Sequence, residues 1–266
     1  MNARAQRLTW PIVGTVAVVV LSFVFAVWTG TDVASLIVLV SVLIVCWAVT
    51  RLSRRGMGLR WGAASHYGVA LAYPCLMAAL VGGAAWVTGN VVLNDAAPAT
   101  VGKTLLLMFV STMIGVLITE EGFFRGWLWG SLERSRLSPK FVLIWTAVAF
   151  TLWHVPAATV EPNFSLPPAI VPVYLANVLI LGLIWGILRA VSGSVIVPTF
   201  CHSVWNALTY VFFGYGIKTK ALGITAYNMF DLERGYVGLI LNAIALVLFW
   251  CWWRRKITAG LPPTTS

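Results

Sequence analysis

The chain has 266 residues, 60% of them hydrophobic and only 10% charged. That composition leaves almost no room for a soluble domain and predicts an all-α, polytopic bundle of transmembrane helices. The net charge of +10 raises nucleic acid as a partner, but the way the charge is distributed makes it a topology signal instead.

Apolar runs of spanning length, about 20 residues each, fall at 9–29, 33–50, 63–88, 104–130, 140–159, 168–189, 194–213 and 236–253. They predict about eight spans in a single membrane-embedded domain, 1–266. Met1 to Arg7 is basic and precedes an apolar run, as in a cleaved signal peptide. The run Thr9 to Thr29 is longer than a typical signal core, so it is read as a retained helix. The loops then sort by charge. Arg4, Arg7, Arg51, Arg54, Arg55, Arg60, Arg134, Arg136, Lys140, Arg189, Arg254, Arg255 and Lys256 fall on one side with Glu133 as the one acid. Lys103, Lys218, Lys220 and Arg234 fall on the other with Asp32, Asp95, Glu161, Asp231 and Glu233. The positive-inside rule puts the cation-rich side, and both termini, in the cytoplasm. The cations suit an anionic lipid surface, and no nucleic-acid partner is expected.

Cys46, Cys75, Cys201 and Cys251 lie inside apolar runs with no CxxC spacing, and are read as reduced core residues. Trp10, Trp28, Trp61, Trp86, Trp252 and Trp253 sit near span ends, where interfacial aromatics belong. No repeat, heptad run or inverted repeat is evident, and 259–266 reads as a frayed tail.

Within the fourth run the charge-free stretch Leu105–Thr119 gives way to Glu120, Glu121 and Arg125. Each charge at a membrane helix centre costs roughly 2.5–3.5 kcal/mol on insertion scales, so such groups are paired, wet or functional. Glu121 and Arg125 stand at i and i+4, acid first, the favourable order for a helical ion pair. Glu120 lies about 100° round the axis, which frees it for another task. In the fifth run, Phe150-Thr151-Leu152-Trp153-His154 is followed by Pro156, whose ring cannot sit against the Leu152 carbonyl, so the helix is expected to kink or stop there. In the seventh, His202 and Asn206 share a face at i and i+4. His66 lies near a span end and is read as interfacial, without a role. Counting about 1.5 Å per residue, Glu120 and His202 lie roughly 12–15 Å from the cytoplasmic side, with His154 somewhat deeper. The three can converge in a pocket expected to open toward the cytoplasm.

A carboxylate, two imidazoles and an amide can activate a water and stabilise an oxyanion. Glu120, His154 and His202 can equally hold a zinc ion with one position open. His-Glu-x-x-His and Gly-x-Gly-Asp are both absent, which excludes the zincin-like and presenilin-type classes. Ser192 in Ala190-Val191-Ser192-Gly193 is a poor echo of a rhomboid nucleophile, at a loop edge.

The ordered motifs Glu-Glu-x-x-x-Arg, Phe-x-x-x-His and His-x-x-x-Asn resemble those of the CPBP family, the CAAX proteases and bacteriocin-processing enzymes also called Abi. The resemblance covers a catalytic core of about 104–214. It implies an intramembrane endopeptidase, described in the family as a metalloprotease and similar to its type II CAAX prenyl endopeptidases, acting on a membrane-associated protein or peptide, with CAAX-like or lipidated substrates among the candidates; the plasma membrane is the expected location. The implied catalytic set is Glu120, Glu121, Arg125, His154, His202 and Asn206. Glu120 and His154 position the attacking water, His202 and Asn206 steady the oxyanion, Glu121 and Arg125 support, and Phe150 packs. A zinc-assisted mechanism and a metal-free glutamate mechanism both fit these residues. Two non-protease readings stay open beside it: a non-catalytic scaffold or bacteriocin-immunity protein, and a transporter using the acids and histidines as a proton path.

Overall fold

A computed structural model describes residues 3–93, 98–160, 166–214 and 221–258. Asp95, Glu161, Lys218, Lys220 and the tail 259–266 lie outside the described residues, as do the side chains of Arg4, Arg7 and Asp32. The helices are α1 (Ala3–Thr29), α2 (Asp32–Thr50), α3 (Ala64–Val87), α4 (Pro98–Ile118), α5 (Trp129–Arg134), α6 (Pro139–Trp153), α7 (Val155–Thr159), α8 (Val171–Ser192), α9 (Ile196–Leu208), α10 (Tyr227–Phe230) and α11 (Tyr236–Thr258). Two π-helical turns, Gly122–Leu128 and Thr209–Phe213, follow α4 and α9. Among the described residues there is no strand, and Val91 and Ile224 form an isolated bridge. The chain is thus an all-α bundle.

Among the described residues, seven stretches are long and apolar enough to cross a membrane: α1, α2, α3, the rod Ala99–Arg134, α6 with α7, α8 and α11. The eighth expected span corrects to a shorter element, α9 with its π turn, 196–213. His202 and Asn206 lower its apolarity, and most of α9 is covered by protein. It packs on α3, α4 and α8, so little of it faces lipid. Outward faces of the other helices are apolar, as at Val27, Leu106 and Leu248. Lipid solvates such faces, so they need no protein cover.

The connections gather at two ends. At one, Arg60 Nε donates to the Gly193 carbonyl, the Val195 amide to Gly58, and Arg134 to Thr50. These segments hold most of the chain's arginines. At the other, Val92 donates to Gly223, Thr225 to Asn90, and Arg234 to Gly214. The sorting of loops inferred from charge therefore recurs in space.

Several single-residue readings change. Trp28, Trp61 and Trp86 are well exposed, but Trp253 is buried and Trp252 half-buried, because they pack inward from the last turns of α11. His66 is buried, its ring beside Trp252. All four cysteines are free, but only Cys46 and Cys201 are core. Cys75 and Cys251 sit on exposed faces.

Candidate functional site

The π turn after α4 positions the acids. The Trp129 amide reaches the Phe124 carbonyl, five residues back, in place of the usual four. Such turns mark local strain within a helix and often functional positions. Gly122 opens the turn because a Cβ there would meet the Leu117 carbonyl. The turn buries Phe123, Phe124 and Trp127 completely and leaves Glu121 and Glu120 on different walls.

Glu121 and Arg125 are both fully buried and pair at 3.0 Å, as the i,i+4 spacing predicts. Arg125 Nη2 also donates to the Gly182 carbonyl, and its guanidinium lies 4.3 Å from the centre of the Phe150 ring. Phe150 is therefore both packing and a cation–π partner. Glu121 has a second task that the spacing does not reveal. Its Oε1 also lies 3.1 Å from His202 Nδ1. An acid paired to a guanidinium can only accept, so Nδ1 carries the proton and Nε2 points away toward Glu120.

His154 sits at the break between α6 and α7. Its amide turns to the Thr151 carbonyl, so the Phe150 carbonyl loses its regular helical donor. His154 Nδ1 takes that place at 2.8 Å. A carbonyl only accepts, so this ring also keeps its proton on Nδ1 and presents Nε2 to Glu120. Pro156, which lacks an amide, is one cause of the break.

Three groups then meet. Glu120 Oε2 is 3.8 Å from His154 Nε2 and 4.0 Å from His202 Nε2. Glu120 Oε2 is buried and has no hydrogen-bond partner among the described residues. Trp185 stacks on the His202 ring at 3.8 Å between centroids. Asn206, one turn on from His202, faces the same cavity and is 7% exposed. All six sequence-derived residues are thus in one place, four of them on the cavity wall and Glu121 with Arg125 behind it.

The cavity holds about 250 Å³. From Glu120 and Trp185 it runs past His202 and Asn206 to Tyr210, Tyr174, Val33 and Glu233. These last four belong to the cation-poor end of the bundle. This corrects the expected opening toward the cation-rich side. The reason is local: α9 presents His202, Asn206 and Tyr210 as one stripe that leads to its far end.

Two aromatics and an acid escaped the sequence reading. Trp185 and Tyr174 lie on α8, where a mostly apolar pattern hides them. Glu233 was counted only as a loop charge. Its Oε1 accepts from Trp205 Nε1 at 2.7 Å. Burial pushes its carboxyl above the ordinary glutamate range and Asp231 adds to this, while the Trp205 N–H and Arg234 pull the other way.

Glu120, His154 and His202 suit a divalent metal in type, and each histidine has Nδ1 engaged by an acceptor, as metal-bound histidines do. Their separations are wider than the roughly 3.4 Å edge of a tetrahedron built on bonds of about 2.1 Å. No group of three such side chains among the described residues has metal-site spacing.

Comparison with curated proteins and with solved structures gives no match. Residues 102–208 match the family model for type II CAAX prenyl endopeptidase, Rce1-like, a stretch that holds every motif residue from Glu120 to Asn206 and bears out the resemblance of this chain to the CAAX-protease family.

Proposed function

We propose that this chain is an intramembrane endopeptidase that hydrolyses a peptide bond of a membrane-associated protein or peptide, CAAX-like or otherwise lipidated, in the plasma membrane. The observation that carries this is Glu120 Oε2. It is buried and without a hydrogen-bond partner, beside two imidazole nitrogens that present lone pairs. Separations of 3.8 and 4.0 Å are too long for direct hydrogen bonds and suit a bridging water.

In this reading Glu120 and His154 Nε2 accept the two protons of one water and aim its lone pair at the scissile carbonyl. The water oxygen bonds to the carbonyl carbon, and Glu120 takes the proton. The carbonyl oxygen becomes an oxyanion, to which Asn206 donates. His202 donates from Nε2 only when both ring nitrogens are protonated, and Glu121 is the carboxylate that balances that charge. The proton on Glu120 passes to the departing nitrogen as the C–N bond breaks, which leaves an amine and a carboxylic acid whose remaining proton passes to His154 Nε2 as the acid ionises. Arg125 holds Glu121, and through it His202. A zinc ion held by Glu120, His154 and His202 would supply Lewis-acid polarisation of the carbonyl and a more acidic water. The Nδ1 engagement of both histidines suits such an ion, whereas separations of 3.8 and 4.0 Å are wider than its coordination sphere.

The test is a membrane proteome comparison between cells carrying wild-type and Glu120→Gln protein. One or more uncleaved precursors should accumulate with the variant. An unchanged proteome with both proteins folded overturns the reading.

A further inference from the structure

The cavity has a second acidic group that this mechanism does not use. Glu233 lines the same cavity as Glu120, at its cation-poor end. It is held in place with unusual completeness. Trp205, fully buried, donates to its Oε1. Its backbone carbonyl accepts from Asn177 at 3.0 Å, its amide donates to Asp231, and Asn177 is itself held by Asn242, which accepts from Tyr73. Asn177 and Asn242 are fully buried and Tyr73 nearly so. A buried polar chain across α3, α11 and α8 thus ends by fixing the backbone of one loop glutamate. Such a network is costly unless fully satisfied. Arg234, next in sequence, directs its guanidinium to Asp231 and the Gly214 carbonyl instead of forming an ion pair with Glu233.

No lysine or arginine lines the cavity among the described residues, whereas two carboxylates do. Tyr174 and Tyr210 line the same cavity at the Glu233 end. A cation is attracted both by carboxylates in a low-dielectric cleft and by aromatic faces. A free carboxylate at this end would be repelled.

We propose that Glu233 is a specificity-determining residue whose carboxylate receives a positively charged side chain, lysine or arginine, of the peptide substrate. It follows that any free C-terminal carboxylate of the substrate lies away from the Glu233 end. This rests on the protease reading and adds the chemistry of the substrate to it.

The probes are three fluorescent apolar peptides that differ at one position, bearing lysine, norleucine or glutamate there. Binding is measured first, to Glu120→Gln protein in nanodiscs, over a pH series in which lysine stays charged. The single position is moved along the peptide until every site has been sampled. The lysine peptide should bind about 10- to 100-fold tighter than the norleucine one at some position, the range for hydrogen bonds to charged groups. Adding Glu233→Gln should bring that ratio close to one, and Glu233→Lys should invert it toward the glutamate peptide. Glutamine can still accept from Trp205, and melting temperatures check that each variant is folded. Charge-independent binding at every position, or a ratio that survives Glu233→Gln, overturns the proposal. Cleavage by the protein with Glu120 intact is read separately. Charge-selective binding without cleavage of any peptide would count against the protease reading and leave the Glu233 assignment standing.

Discussion

His202 Nδ1 and Arg125 Nη1 converge on one atom, Glu121 Oε1, at 3.1 and 3.0 Å. Glu121 is therefore the link between a structural ion pair and a ring of the candidate site, while its neighbour Glu120 stands on the cavity wall. Adjacent glutamates have separate duties because one helical step of about 100° turns them to different surroundings.

Removing one partner of a buried pair strands the other, at a typical cost of about 3–5 kcal/mol. Arg125→Gln should therefore lower the melting temperature and the amount of extractable protein, and adding Glu121→Gln should restore part of the loss. A double-mutant cycle on melting temperature measures the coupling. Simple additivity would contradict the pairing. Because Glu121 also holds His202, the double variant should regain stability without regaining turnover.

Glu120→Gln is nearly isosteric and strands no charged partner. Its abundance and melting temperature should match wild type while hydrolysis stops. A loss of both together would mean that Glu120 is structural.

Asn206→Ala should leave membrane insertion intact and lower turnover by roughly 10²–10³, the usual effect of removing one oxyanion donor. Steady-state kinetics should show the loss mainly in kcat. Near-full turnover would remove Asn206 from the mechanism.

Metal content separates the two mechanistic readings. Purified active protein should retain hydrolysis after exhaustive chelation if Glu120 acts on water alone. About one equivalent of zinc, lost together with activity and dependent on His154 and His202, would decide for the zinc-assisted route.

Orientation follows from the loop charges. A cysteine placed at Arg55 should react with a membrane-impermeant thiol reagent only from the cytoplasmic side, and one at Thr31 only from the outside. Both positions are exposed. The reverse pattern would turn the bundle over, and the cavity mouth with it.

The sequence by itself determined the membrane character, the alternation of helices and the identity of the six motif residues. These depend on local properties: apolar run length, loop charge, and the price of an ionisable group in hydrocarbon. It also determined the Glu121–Arg125 pair, since i and i+4 meet within a single helix, and the break at His154, since Pro156 lacks an amide. Only the tertiary structure decided what lies between helices. The His202–Glu121 contact spans 81 positions, and no spacing rule reaches that far. The stacking of Trp185 on His202, the Asn177–Asn242–Tyr73 chain behind Glu233, and the opening of the cavity toward the cation-poor end depend on how α3, α8, α9 and α11 rotate about their axes. Packing of small and large side chains sets those rotations, as where Gly182 lets the backbone of α8 approach Ala147 of α6. Hydropathy is nearly blind to rotation when a helix is mostly apolar, and this is why α8, with Asn177 as its one mid-helix polar group, concealed its cavity face while α9, with its polar stripe, revealed one.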